Sequence, residues 1–361
     1  MMCRIRVLSR LWALIMKLYN KNGYADMHSI INIPVPFILC IGGRGTGKTY
    51  GAFVEVLDNY QPFIYLRRTA SQQELVQQPD FMPLNPVAAD RGEIYTAAAV
   101  NKYIGAYYHG ETADDGKIKP LGAPVGYTLA LSTISNARSF DMSQCQIILY
   151  DECIPEVHER RIKNEDAAIL NMYESINRNR ELKGQPPIKL VMLANANNYD
   201  AAILQAFGLI KTIETMHRRG QSVNIDKRRG VAVVLLQDSP IAGMKSATAL
   251  YRAVTTGDFA RMAIENDFAA DSYTDIAAKP LGEYIAVAAC GGYCVYRHKS
   301  GNGYYMCAHV SGAPELYNNS PDGRTALRRK YYWLWDAYLR HEILFSDVET
   351  KTFFRGVYLI G

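Results

Sequence analysis

The feature that most constrains this chain is a glycine-rich segment that directly follows a short apolar run. Residues 36–41 (PFILCI) have the length and composition of a buried strand, and residues 42–49 read GGRGTGKT. This segment fits the pattern G-x-x-x-x-G-K-[ST], in which a loop joins a strand to a helix and its backbone N–H groups cradle phosphate oxygens. Residues 50–59, with apolar positions at helical spacing, supply the helix. The segment therefore predicts a nucleotide-binding site.

The polar side chains of this loop have defined roles in such a site. The Lys48 ammonium is expected to reach the β- and γ-phosphates, and the Thr49 hydroxyl is expected to bind Mg²⁺. The glycines let the backbone turn its N–H groups inward, and the N-terminus of the following helix adds partial positive charge. A glycine-rich turn without a ligand is the alternative. The predicted phosphate-binding residues of the loop are Gly42, Gly43, Gly45, Thr46, Gly47, Lys48 and Thr49.

A second apolar run ends in two acidic residues. Residues 146–150 (QIILY) have the pattern of a buried strand and are followed by Asp151 and Glu152. A carboxylate at a strand end beside the phosphate loop can hold Mg²⁺, so Asp151 is assigned to the metal. Because successive side chains of a strand point to opposite faces, Glu152 is predicted to point the other way and to polarise a water in line with the γ-phosphate. The alternative is a structural acid pair.

A third apolar run, residues 188–193 (IKLVML), leads into Asn195. In P-loop enzymes that hydrolyse their nucleotide, a strand with a polar tip lies between the phosphate-loop strand and the acidic strand. Asn195 is therefore the candidate γ-phosphate sensor, and a turn-forming asparagine is the alternative.

Two arginines stand at the predicted end of a helix that starts near Asp166. The segment 175–181 reads SINRNRE and contains Arg178 and Arg180. An arginine can neutralise transition-state charge on the nucleotide of a neighbouring subunit, so either residue is a candidate arginine finger. A solvated basic face is the alternative.

These segments together resemble the genome-packaging (DNA-encapsidation) ATPases of phi29-like tailed phages, which are relatives of the large terminases. The resemblance covers residues 38 to about 199, and its NRNRE and LANA segments are far more specific than the glycine-rich loop alone. The chain departs from the family at Ile134, where relatives carry a basic residue before SNA. The matching segments are GGRGTGKTY at 42–50, FIYLRR at 63–68, SNA at 135–137, YDE at 150–152, NRNRE at 177–181 and LANA at 193–196.

The resemblance implies further roles and partners. Arg44, Tyr50 and Arg67, with Arg68 as an alternative to Arg67, are expected near the nucleotide, and Arg178 is expected to act across a ring of subunits. The expected cofactors are ATP and Mg²⁺. The expected partners are double-stranded DNA, further copies of the chain in a ring (a pentamer), the phage portal and a packaging RNA, with no membrane. The expected location is the host bacterial cytoplasm, on the procapsid portal vertex, and not the mature virion.

The predicted fold is α/β, an ASCE-type P-loop NTPase with a mainly parallel sheet and a smaller C-terminal α/β domain. The predicted domains are an N-terminal extension at 1–30, the ATPase domain at 31–240, a helical linker or lid at 241–278 and the C-terminal domain at 279–361. Residues 1–15 are interpreted as an amphipathic helix or as an over-extended start before Met16. By resemblance to terminases the C-terminal domain is RNase H-like. Since its strands 285–289 and 304–309 carry no acid, we expect no nuclease activity.

Composition excludes some classes. At 48% hydrophobic residues the chain is not disordered, and its length of 361 residues suggests two domains. The net charge of +5 permits a partner with phosphates without requiring one. Seven scattered cysteines predict reduced thiols and no zinc site. Another P-loop DNA-dependent ATPase or translocase, a small-molecule kinase and a non-catalytic scaffold are the other functions considered, and the Asp151–Glu152 pair favours hydrolysis over a kinase.

Overall fold

The computed structural model describes residues 16–358, apart from residues 138–139, 157–158, 160–161, 196–200, 238, 242–243, 245–247, 250–274 and 302. The chain forms two compact units. The first comprises Met1–Phe207 and Met216–Ala269, and the second comprises Gly208–Thr215 and Ala270–Gly361. The expectations for residues 1–15 and for most of the lid at 241–278 lie outside the described residues.

The first unit is built on a nine-stranded mixed sheet in the order β3-β4-β5-β2-β6-β7-β1-β9-β8. Within this sheet the six consecutive strands β5-β2-β6-β7-β1-β9 run parallel to one another. The predicted α/β class and mainly parallel sheet are confirmed. The strands are β1 (Phe37–Gly42), β2 (Phe63–Arg67), β3 (Tyr95–Asn101), β4 (Ile104–Thr112), β5 (Ile118–Ala130), β6 (Ile147–Asp151), β7 (Lys189–Ala194), β8 (Val223–Asp226) and β9 (Val231–Leu236).

The central strands are buried on both faces, which is why they appear in the sequence as continuous apolar runs. All residues of β6 and β9 are buried, and so are all but the first of β1 and β7. Strand β7 pairs with β1 through Cys40 and Leu193 and with β6 through Tyr150 and Met192. The predicted order, with the Asn195 strand between the loop strand and the acidic strand, is therefore confirmed.

An antiparallel ribbon extends the sheet at one edge. Strands β3 and β4 pair antiparallel, and β4 pairs antiparallel with β5 through Ala106 and Tyr127. A polar turn at residues 113–117 joins β4 to β5. Because β5 also pairs in parallel with β2, the ribbon is continuous with the sheet that forms the site.

Six of the described helices belong to the first unit, and a further one, α7, spans the boundary between the two units. Helix α2 follows the glycine-rich loop, and its apolar residues Phe53 and Val56 pack in one cluster with Ile38 of β1. Helix α5 agrees with the predicted helix near Asp166. The helices are α1 (Met27–Ile31), α2 (Lys48–Asn59), α3 (Ala70–Leu75), α4 (Asn85–Arg91), α5 (Glu165–Asn177), α6 (Ala202–Ala206) and α7 (Ile210–Arg218).

The second unit contains a five-stranded sheet in the order β13-β10-β11-β12-β14. Strands β10, β11 and β12 form an antiparallel meander, β13 runs parallel to β10, and β14 runs parallel to β12. The elements are β10 (Tyr284–Cys290), β11 (Tyr293–His298), β12 (Tyr304–Cys307), β13 (Glu315–Tyr317), β14 (Ile343–Phe345), α8 (Pro321–Lys330), α9 (Trp333–Leu339) and α10 (Val348–Tyr358).

Helices α8 and α9 are separated by a break at Tyr331 and Tyr332. The break at Tyr331 lets the two helices bury apolar side chains in different clusters. Leu327 of α8 packs with Cys290 and Val357, whereas Leu334 of α9 packs with Phe345 and other residues of a second cluster.

Within the described residues no helix combines the length and the apolar character needed to cross a membrane. The six described cysteines are free thiols, and all of them are buried.

Candidate nucleotide site

A cleft lies at the carboxyl ends of the parallel strands β1, β6 and β7. This is the edge at which open α/β sheets bind ligands, because the strand ends and helix N-termini meet there. Its lining combines the glycine-rich loop, the acid pair and the tip of β7. The lining residues are Arg44, Gly45, Thr46, Gly47, Lys48, Thr49, Tyr50, Asp151, Glu152, Glu156, Ala194 and Asn195.

The loop backbone requires glycine at its end. Gly47 has φ +83° and forms the N-cap of α2, so its conformation is left-handed. A Cβ at this position would also lie 3.0 Å from the Tyr24 ring. The Thr46 hydroxyl donates to the Gly43 carbonyl at 2.9 Å, and the backbone N–H of Ala25 donates to the Thr46 carbonyl at 2.8 Å. The loop is therefore held in shape from both sides.

Lys48 is buried inside the loop. Its ammonium donates to the carbonyls of Gly42 at 2.7 Å and Gly43 at 2.9 Å, and to Asn195 Oδ1 at 3.2 Å. Gly42 and Gly43, both predicted to contact phosphate, bind Lys48 through their carbonyls, and neither lines the cleft. The structure thus brings Lys48 and the predicted sensor Asn195 into direct contact.

The two predicted metal ligands are also in contact. The Thr49 hydroxyl donates to Asp151 Oδ2 at 3.0 Å, and the Tyr65 hydroxyl donates to the same oxygen at 3.0 Å. Burial and the nearby Asp151 charge raise the pKa of Tyr65 well above its ordinary value, so Tyr65 keeps its proton and remains a donor.

Hydroxyl and carboxylate oxygens suit Mg²⁺, which usually takes one or two carboxylates and completes its shell with waters and substrate phosphates. Thr49 and Asp151 fit that arrangement. In the part of the chain that the structure describes, no group of three or more His, Cys, Asp or Glu residues is placed to hold a metal ion.

Glu152 lies one residue beyond the end of β6. Its backbone is left-handed, with φ 53°, so its side-chain direction is set by this local turn. Strand alternation was the predicted reason for the Glu152 side chain to point away from that of Asp151. This reason is wrong, because the strand ends at Asp151. The Glu152 side chain is 55% exposed, lines the cleft and accepts a hydrogen bond from Arg67 Nη2.

Arg67 is buried beside the acid pair and does not line the cleft directly. Its Nη1 donates to the Tyr65 hydroxyl at 3.2 Å and lies 3.6 Å from Asp151 Oδ2. Burial acts to lower the pKa of Arg67, but the tyrosine and the two carboxylates outweigh it and raise the pKa above its ordinary value. Arg67 therefore stays charged and fixes the orientation of Glu152.

Two further predicted residues stand at the opening of the cleft. Arg44 forms an ion pair with Glu156, and both side chains are partly exposed. The Tyr50 hydroxyl donates to Asp90 Oδ2 at 2.6 Å, and this hydrogen bond raises the pKa of Tyr50. Tyr50 remains 41% exposed, so its ring is accessible from the cleft.

Arg178 and Arg180 lie at the opposite edge of the sheet. Arg180 Nη1 donates to the carbonyl of Cys145, just before β6, at 2.7 Å, whereas Asp151 ends that strand. At about 3.3 Å per residue, roughly 20 Å separates Cys145 from Asp151. Arg178, which ion-pairs with Asp141 at 3.1 Å, therefore cannot reach the cleft of its own chain.

Sequence reasoning missed Tyr65 and Glu156. Tyr65 lies two residues before Arg67 on β2, and this spacing places both side chains on one face of the strand. Arg68 consequently faces the other side, where its Nε donates to Glu165 Oε1 at 2.7 Å. The alternation was visible in the sequence, but nothing there aligned β2 with Asp151. Glu156 had no pattern to mark it.

Known proteins with similar sequences are phage proteins. The chain is 24% identical over 267 residues to the "DNA packaging protein" of Bacillus phage PZA, covering 72% of this chain and 68% of that protein. It is 24% identical over 263 residues to the "DNA packaging protein" of Bacillus phage phi29, covering 70% and 67%.

Two solved structures share the fold. One is "The Phi-28 gp11 DNA packaging Motor", with a TM-score of 0.61, 19% identity and coverage of 94% of this chain and 99% of that chain. The other is "The bacteriophage Phi-29 viral genome packaging motor assembly", with a TM-score of 0.60, 16% identity and coverage of 94% and 100%.

The resemblance predicted from the motifs is confirmed by a family model. The model of the "Podovirus DNA encapsidation protein (Gp16)" matches residues 17–289, which include the glycine-rich loop, the acid pair and Asn195. The chain therefore belongs to the podovirus Gp16 DNA encapsidation protein family.

Proposed function

We propose that this protein hydrolyses ATP with Mg²⁺ and uses the reaction to move double-stranded DNA into a preformed phage capsid. One observation carries the proposal: the Lys48 ammonium, the Thr49–Asp151 pair and the Glu152 carboxylate all line one cleft. These are the groups that ATP hydrolysis needs, namely a phosphate clamp, a magnesium site and a base for water.

Each group has a step in the reaction. The loop N–H groups and Lys48 bind the phosphates, and Asn195, in contact with Lys48, senses the γ-phosphate. Thr49 and Asp151 would hold Mg²⁺, which would neutralise charge that develops on the phosphates. Glu152 accepts a proton from the attacking water while Arg67 orients its carboxylate. Arg44 and Tyr50, at the cleft opening, contact the nucleotide.

Arg178 is proposed as an arginine finger that acts on the neighbouring subunit. Its position at the far edge of the sheet removes it from its own cleft, and its side chain is 42% exposed. Arg180 is less suited to this role, because its Nη1 is already engaged with the carbonyls of Ser143 and Cys145. A finger contributes about 10³–10⁵ in rate where it has been measured.

The proposed partners follow from the family. The named relatives are DNA packaging proteins and packaging motors, which supports duplex DNA and a capsid portal as partners. A finger in trans requires a ring of copies, for which we propose a pentamer, and a packaging RNA is a further proposed component. The protein would work in the host cytoplasm at the portal vertex and would leave before the virion matures.

The second unit is proposed to be an RNase H-like domain without nuclease activity that handles DNA. Several of its acids are engaged with basic side chains: Asp275 with buried Lys351 at 3.0 Å, Glu315 with Lys330 at 2.6 Å. Arg329 on α8 is exposed and is the proposed phosphate contact.

An ATPase assay with and without duplex DNA tests the proposal. Lys48→Ala and Glu152→Gln are expected to abolish turnover while leaving the fold intact by circular dichroism, and Glu111→Gln, an exposed acid on β4, is the matched control. Turnover stimulated by duplex DNA supports the motor. Stimulation by a small acceptor would instead indicate a kinase, full activity in Glu152→Gln would refute its assignment as base, and no turnover in the unaltered chain would refute the proposal.

A further inference from the structure

The corner that follows α5 has an unusual backbone. Arg178 and Asn179 are consecutive residues with positive φ, 45° and 58°. Non-glycine residues rarely adopt this region, and two in succession persist only where surrounding contacts hold them. Both residues are exposed, so their own side chains do not supply burial that would fix the turn.

The residues on either side of this pair hold it. Asn177 is buried; its Oδ1 accepts from the backbone N–H of Ile188 at 2.9 Å, and its Nδ2 donates to Glu181 Oε2 at 3.2 Å. Arg180 Nη1 donates to the carbonyl of Cys145 at 2.7 Å and reaches that of Ser143 at 3.4 Å. The corner is thus tied to the backbone that leads into both β6 and β7.

The contacts that Arg178 itself makes are of a different kind. Its Nη1 pairs with Asp141 Oδ1 at 3.1 Å, both of these side chains being substantially exposed, 42% and 66%, and its Nη2 donates at the long distance of 3.5 Å to the exposed carbonyl of Phe140. Ion pairs at such exposure contribute little, so the guanidinium can exchange Asp141 for another anion. The backbone of the corner is fixed, whereas the charged end of Arg178 is available.

We propose that Asn177 and Arg180 are positioning residues that fix the corner so that Arg178 is presented to the triphosphate bound by a second copy of the chain. This inference rests on the proposed function and adds to it a division of roles within the segment NRNRE. Arg178 makes the contact with the nucleotide, and the flanking side chains hold the backbone that aims it.

Single-turnover hydrolysis of radiolabelled ATP by the assembled protein tests this division in a double-mutant cycle. Arg180→Ala is expected to lower the single-turnover rate about 100-fold, the cost of misplacing a catalytic group by about 1 Å, and to leave the half-saturating ATP concentration unchanged. Arg178→Ala is expected to lower the rate about 10³-fold or more. The double variant is expected to be no slower than Arg178→Ala, because Arg180 acts through Arg178.

Controls separate positioning from general damage. Lys183→Ala removes another exposed basic side chain of the same corner and is expected to stay within about twofold of the unaltered chain. Arg180→Lys keeps the charge but loses the planar fork, and about a tenfold loss is expected. Circular dichroism checks folding; should Arg180→Ala fail to fold, Arg180→Lys takes its place in the cycle.

The outcomes discriminate between the inference and the proposed function. An Arg180→Ala rate within twofold of the unaltered chain, or a further loss when it is added to Arg178→Ala, overturns the inference alone. Full activity in Arg178→Ala overturns the finger and the inference together, whereas absence of turnover in the unaltered chain overturns the proposed function.

Discussion

The buried ion pair between Arg68 and Glu165 allows a quantitative prediction. Arg68 Nε donates to Glu165 Oε1 at 2.7 Å and Nη2 to Oε2 at 3.0 Å, and the two side chains are 1% and 7% exposed. The pair joins the end of β2 to the first turn of α5. Removing one partner of such a pair leaves a buried uncompensated charge, which costs about 3–5 kcal/mol.

We therefore expect Arg68→Met to lower the free energy of unfolding by about 3–5 kcal/mol. The additional contact with Glu159 at 3.2 Å adds less than about 1 kcal/mol, because that carboxylate is 29% exposed. The double variant Arg68→Met/Glu165→Leu is expected to lie within about 1–2 kcal/mol of the unaltered chain, since two apolar side chains replace two paired charges. Loss of the helix-dipole contribution of Glu165 accounts for about 0.5 kcal/mol of that difference.

Urea denaturation followed by circular dichroism measures these free energies. The matched control is Glu174→Leu, an exposed acid on the same helix, which is expected to change stability by no more than about 0.5 kcal/mol. If the double variant loses as much free energy of unfolding as Arg68→Met and Glu165→Leu lose together, the two residues are not acting as a coupled buried pair and the reasoning is refuted.

Three further predictions concern the site and the second unit. Gly47→Ala is expected to weaken nucleotide binding measured by calorimetry and to destabilise the fold by about 1–2 kcal/mol, because alanine is strained at φ +83°; unchanged affinity would contradict this. Tyr65→Phe removes a donor from Asp151 and is expected to raise the Mg²⁺ concentration for half-maximal turnover several-fold, with Tyr108→Phe as control; an unchanged Mg²⁺ dependence counts against the role. Hydrogen bonds from Lys330 and Tyr331 lower the pKa of Glu315 to about 2, so its stabilising contribution is complete above about 4.5 and is lost as pH falls through about 2. An NMR titration of Glu315 that gives an ordinary pKa near 4.5 would refute the last prediction.

Much of the site could be predicted because its residues follow apolar runs. Residues 36–41, 146–150 and 188–193 have the length of buried strands, and each is followed within a few residues by a group that the chemistry needs. Parallel strands bring their carboxyl ends to one edge, so Lys48, Asp151 and Asn195 are expected to meet. Their contacts in the structure agree with that expectation.

The surroundings of these groups could not be predicted in the same way. Tyr65, Arg67 and Glu152 interact only because β2 lies against β6, a pairing between segments far apart in the chain. The direction of the Glu152 side chain depends on a left-handed residue just past the strand, where strand alternation no longer applies. A hydrophobic pattern predicts the type of an element and its buried positions, but it does not predict which elements pair or in what register.

The sequence by itself determined the buried strands and the phosphate loop, because apolar periodicity and glycine spacing act locally. Only the tertiary structure decided that Arg178 and Arg180 lie near the amino ends of the parallel strands, on the opposite side from the cleft. Their position depends on the length and direction of α5. It also decided which charges are paired, because ion pairs such as Arg68 with Glu165 join residues that are far apart in the sequence and meet only in the folded chain.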